Sequence, residues 1–179
     1  MLADYISYFE NIAEHHTAIL HSPADNNPNG NPGKVKFTIF DLEDLYSNLR
    51  TKVGSGILLA LNNYEWKGSD NAANDFRANA TGAFLILKDT RPNDMPDQKN
   101  SYIETEQVML DIINKLYLDS HDHCTATPFK NLDLSDFEIT PAGPVFGKYY
   151  GWYVEFKFQL RLQAQLNIDL RTDLAKWTL

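Results

Sequence analysis

The chain has 179 residues, with 24 Asp or Glu against 16 Lys or Arg, for a formal net charge of −8. This length builds one domain with a substantial core, and an acidic balance with dispersed basic residues excludes a protein whose main work is neutralising phosphates. The single cysteine, Cys124, excludes an internal disulfide and a Cys-rich zinc site, and no apolar run is long enough for a membrane-spanning helix.

Acidic residues Asp4, Glu10 and Glu14 interrupt the N-terminal segment, so no secretory leader is expected there. Residues 2–20 instead carry Leu2, Ile6, Phe9, Ile12, Ala13, His16, Ile19 and Leu20 at helical spacing, and Pro23 closes the pattern. His16, on the apolar face of this helix, reads as a hydrogen-bonded core histidine. Residues 22–33, rich in Pro, Asn and Gly, read as a loop.

Residues 35–39 suit a short strand. A second helix is predicted from Asp41 as N-cap, with Phe40 and Leu45 as a hydrophobic staple and Gly54 as terminator. Residues 57–66 and 81–88 read as two apolar strands, antiparallel neighbours across a polar connection. After the polar stretch 89–100, Ser101-Tyr102-Ile103-Glu104 matches a capping box. The helix it opens runs to Asp119, with Met109, Ile112, Ile113, Leu116 and Tyr117 on its buried side. A weaker strand is predicted over 132–140, and Pro141-Ala142-Gly143-Pro144 is expected to turn the chain. Leu170, Leu174 and Trp177 suit a short terminal helix.

The clearest pattern is the alternation over residues 151–167. Trp152, Val154, Phe156, Phe158, Leu160, Leu162, Ala164 and Leu166 share one parity; Tyr153, Glu155, Lys157, Gln159, Arg161, Gln163 and Gln165 share the other. Successive strand side chains point to opposite faces, so this is one strand with a dry face and a wet one. Such a strand spans about 50 Å, whereas a compact domain of this length is about 40 Å across. It must curl, bend, or project toward a partner. The expected fold is α+β: an antiparallel sheet of about four main strands with helices packed on one face, in the order helix-helix-strand-strand-helix-strand-strand. It forms a single domain over residues 1–179, with long polar loops at 22–34, 67–79 and 89–100.

Chemistry is sparse. Asp119, His121, Asp122, His123 and Cys124 include imidazole and thiolate ligands suited to zinc, but no second ligating segment accompanies them. The plainer reading is a polar helix exit whose histidines suit the helix dipole. Cys124 as a nucleophile lacks any visible oxyanion site, and Gly54-Ser55-Gly56 lacks the Lys-Ser/Thr ending of a phosphate loop. No catalytic, cofactor-binding or metal residue is therefore assigned, and no cofactor is expected. The aromatic group Tyr149, Tyr150, Trp152 and Tyr153 reads as a half-buried sheet edge or protein contact. The wet parity, Tyr153, Glu155, Lys157, Gln159, Arg161, Gln163 and Gln165, is either an ordinary solvated sheet face or a subunit interface, and its length raises the second option.

Taken together, the helix at 2–20, the hairpin at 57–88, the helix at 101–119 and the final strand pair, ending in Gly151-Trp152-Tyr153-Val154-Glu155-Phe156-Lys157-Phe158, resemble a known family. It is the tail-terminator or tail-completion proteins of long-tailed bacteriophages and related contractile injection systems. The likeness is one of element order over most of the chain. It implies a structural virion protein, not an enzyme, forming a homo-oligomeric ring, hexameric in that family, that caps the tail tube and joins it to the head connector. Its implied partners are further copies of itself and the tube and connector proteins, without sequence-specific nucleic acid or membrane. Its implied place is the virion tail, assembled in the bacterial host cytoplasm, with contacts on the 151–167 sheet edge and the loops at 22–33 and 89–100. The alternative is a small-molecule-binding protein or enzyme built on a curved antiparallel sheet around a helix, with the apolar parity of the long strand lining a cavity.

Overall fold

The computed structural model describes residues 2–22, 35–39, 56–70, 76–91, 93–122, 127, 129 and 132–161, with the backbone alone described at 69, 70, 76, 77, 160 and 161. In chain order the elements are α1 (Leu2–His15), β1 (Phe37–Ile39), β2 (Ile57–Asp70), β3 (Phe76–Asp89), α2 (Met95–His121), a 3₁₀ turn (Leu134–Asp136), β4 (Phe137–Val145) and β5 (Tyr149–Arg161). The predicted helix at 41–53, the terminal helix, residues 162–167 and most of the loop at 22–34 lie outside the described residues.

The fold is α+β, and its five described strands form one sheet in the order β1-β2-β3-β5-β4. Strands β2, β3, β5 and β4 pair antiparallel in turn. The sheet is nevertheless mixed, not wholly antiparallel, because β1 pairs with β2 in parallel, Phe37 beside Leu59 and Ile39 beside Leu61. Residues 40–56 are long enough for the crossover that a parallel pair requires.

Both described helices pack on one sheet face. Tyr5, Phe9, Ile12 and Ala13 of α1, with Val108, Met109, Ile112, Ile113 and Leu116 of α2, meet Leu59, Leu61, Phe84, Ile86, Val154, Phe156 and Phe158 of the sheet. Aromatic rings fill the centre: Phe129 lies 5.0 Å from Phe158 and 5.7 Å from Phe156, and Phe9 lies 5.5 Å from Phe84. Small residues on β3 make room for them, since Ala78, Ala80 and Gly82 occupy the row positions facing these rings.

Several boundaries differ from the sequence expectations. Helix α1 ends at His15, five residues before Leu20, because Leu20 takes a left-handed conformation (φ 53°) and His21 N–H donates back to Ala13 O at 2.9 Å. That turn buries Ile19 and exposes Leu20, so the helical spacing of both was coincidental. Helix α2 begins at Met95, inside the predicted loop at 89–100. Asp94 is its N-cap, accepting from Asp97 N–H at 3.1 Å, and Pro96 sits in the first turn, where a missing N–H costs nothing. Ser101 is therefore not a cap. It is a buried helix residue whose hydroxyl donates toward Lys88 O and Tyr150 O, at 3.4 and 3.3 Å.

Strands β2 and β3 run to Asp70 and from Phe76, through most of the loop predicted at 67–79. The predicted strand at 132–140 starts only at Phe137, after the 3₁₀ turn. Pro141 to Pro144 continue it as an irregular edge strand instead of turning the chain. Pro141 lies beside Trp152 at the sheet margin, where proline costs no inner ladder bond.

Candidate interaction surface

The second face of the sheet is divided, not uniformly wet. Near the start of β5 it carries a second apolar cluster of Leu58, Ala60, Leu85, Leu87 and Tyr149, with Ala142, Val145, Phe146 and Tyr153 packed against it. Farther along it turns polar, and the cause lies in β2. A bulge between Leu61 and Asn63 flips the side-chain parity, sending Tyr64 and Trp66 to the helix face and Asn63, Glu65 and Lys67 to the other.

From the row of Glu65 onward, three strands continue together among the described residues. Among the described residues β1 accompanies β2 no farther than Leu61, and β4 accompanies β5 no farther than Phe156. Among the described residues, β2, β3 and β5 therefore extend as a blade with no further strand on either edge, the 3₁₀ turn lying close to β5. β2 and β5 are both antiparallel to the central β3, so they run in the same direction. Across the polar side of the blade the strand register aligns Asn63, Ala83 and Glu155 in one row, Glu65, Thr81 and Lys157 in the next, and Lys67, Asn79 and Gln159 in a third. On the opposite side Trp66, Ala80 and Phe158 share a row.

The sequence-predicted interface residues fall into distinct environments. Tyr153 belongs to the second apolar cluster and donates its hydroxyl to Glu155 Oε2 at 3.1 Å. Burial, and then the carboxylate of Glu155, raise the Tyr153 phenol above its usual range. Glu155 is half-buried, whereas Lys157 and Gln159 are exposed. The Arg161 backbone pairs with Arg77; Gln163 and Gln165 lie outside the described residues.

Glu65, Trp66 and Lys67 were not anticipated. All three are exposed, and Trp66 retains 50% of its surface. Their own alternation, Tyr64 and Trp66 against Glu65 and Lys67, was the available signal. The bulge concealed it by breaking phase with Ile57, Leu59 and Leu61.

Of the histidine cluster, Asp119, His121 and Asp122 lie among the described residues. His121 closes α2, its Nδ1 within 2.8 Å of Tyr117 O and 2.9 Å of Ser120 Oγ, while His123 and Cys124 lie outside the described residues. Among the described residues no three His, Cys, Asp or Glu side chains converge. His16 is half-buried, not a core residue: its Nε2 lies 3.5 Å from Asp111 Oδ2, and its Nδ1 accepts from Ala18 N–H at 3.2 Å. Among the described residues the buried histidine is His21, whose Nδ1 accepts from Lys36 N–H at 3.0 Å. No helix among the described residues is long and apolar enough to cross a membrane. Comparison of the chain with family models, curated proteins and solved structures finds no match in any of the three.

Proposed function

We propose that this chain is a ring-forming structural subunit of the tail-terminator kind. Copies would close around the end of a tail tube and stop its growth. The supporting observation is the blade: three strands that outrun both of their flanking neighbours and, among the described residues, leave a backbone edge unpaired on each side. Open edges recruit other chains unless they are covered, and a head-to-tail contact repeated around an axis closes a ring. The work of such a ring is geometric. One face matches the last tube layer, the other meets the head connector, and no bond is made or broken.

The rival reading, a ligand cavity under the apolar side of the long strand, finds less support. Phe9, Phe129 and Tyr5 occupy the space over Phe156 and Phe158 at ring distances of 5.0–6.2 Å. Electron microscopy of the purified chain, alone and mixed with assembling tail-tube protein, tests the proposal. It predicts closed rings and tubes that end in a cap. Isolated subunits with no effect on tube growth would contradict it.

A further inference from the structure

We infer that successive copies join edge to edge, with β2 residues 65–69 of one copy lying parallel to β5 residues 157–161 of the next. The inference rests on the ring reading above and specifies which surfaces meet.

Four observations converge on it. First, the two open stretches occupy the same rows of the blade. Glu65 is level with Lys157 through Thr81, and Ser69 is level with Arg161 through Arg77. Second, both strands run the same way, so a head-to-tail join is a parallel pairing. The outer edge of β2 already accepts a parallel strand at its base, where β1 lies beside Leu59 to Leu61. Third, in this register Glu65 of one copy stands beside Lys157 of the next on the polar side. Both are exposed, and neither has an ion-pair partner among the described residues. Lys67 then neighbours Gln159, so no like charges adjoin in the paired rows. Sliding the second strand two residues back is blocked, because β4 already pairs beside Glu155 through Glu138, and it would also set Lys67 against Lys157. Fourth, the same register brings exposed Trp66 beside Phe158 on the apolar side. An exposed indole next to a buried aromatic cluster is the kind of anchor that dominates protein contacts.

The occupant is thus a second copy of this chain, because the two edges of one blade complement each other in direction, row position, charge and apolar surface.

The test uses the intact chain and follows self-association by analytical ultracentrifugation, with circular dichroism as the folding control. Glu65→Lys and Lys157→Glu are each expected to weaken association on the order of 10-fold, and the double exchange to restore most of it. Trp66→Ala is expected to weaken it at least as much. A second measurement mixes chains carrying Glu65→Cys and Lys157→Cys, each in a Cys124→Ser background. A short bifunctional thiol reagent should link the mixture and neither variant alone. If rings persist with these variants unaffected and unlinked, the edge pairing is overturned while the ring reading stands. If the unaltered chain is monomeric, both fall.

Discussion

Gly82 lies directly beneath Tyr5: a Cβ on this glycine would stand 2.6 Å from Tyr5 Oη and 2.9 Å from Phe156 Cζ. The centre of β3 is therefore bare so that α1 can seat an aromatic ring on the sheet, with Tyr5 stacked over Phe158 at 6.2 Å and tilted against Phe9 at 5.0 Å. Gly82→Val forces those rings apart and is expected to destabilise the fold by about 1–3 kcal/mol or more through overpacking. Gly68, farther out on the blade, has no heavy atom within 4 Å of its Cβ position. Gly68→Ala should change stability by no more than about 0.5 kcal/mol. Urea denaturation of the two variants beside the parent checks both statements.

Two tyrosines on α1 give the fold an alkaline limit. Burial raises the phenol of Tyr5 far above its ordinary value. Burial first, and then the carboxylate of Asp119, do the same for Tyr8, whose hydroxyl donates to Asp119 Oδ2 at 2.7 Å. A raised folded-state pKa means the native chain keeps a proton that the unfolded chain releases. The associated stability is intact below the unfolded tyrosine pKa of about 10 and is lost as pH rises beyond it. Each tyrosine is expected to contribute a decline of about 1.4 kcal/mol per pH unit there. Urea midpoints across this alkaline range should fall steeply for the parent and less steeply for Tyr8→Phe. An equal slope for the two would contradict the assignment.

The start of α2 rests on Asp94. Asp94→Ala removes the acceptor for Asp97 N–H and should cost about 1 kcal/mol, while Asp94→Asn should keep most of that contribution. Hydrogen exchange should show early opening confined to residues 95–98 in the alanine variant. Ser101→Ala should also cost about 1 kcal/mol, through the lost contacts to β3 and β5, without loosening the helix start.

Much of this architecture was readable from residue types. Apolar residues at helical spacing marked α1 through His15, and the alternation of Val154, Phe156 and Phe158 against Glu155, Lys157 and Gln159 marked β5. What was missed has specific causes. Ser101-Tyr102-Ile103-Glu104 has the letters of a capping box, but a preceding Asp94 with Pro96 opened the helix earlier. The serine was then free to bond strand carbonyls. Polar residues near Lys67 and Asn79 read as a loop because no apolar periodicity marks them. Backbone pairing with β3 and β5 holds them in the sheet.

The surface was only half legible for a related reason. Alternation singled out the polar parity of β5, yet register alone decides which of its residues meet an open edge. Tyr153 and Glu155 are flanked by β4, opposite Thr140 and Glu138, whereas Lys157 and Gln159 lie past its end. The matching edge, Glu65 to Lys67, was out of phase with the apolar start of its own strand because of the bulge after Leu61.

Sedimentation velocity on the intact chain, from micromolar to millimolar concentration, measures the central claim most directly. The proposed blade-to-blade contact predicts a single discrete species of several copies, whose mass stays fixed as concentration rises because the ring has closed. A lone subunit persisting throughout that range, or an open-ended series of growing polymers, would contradict it.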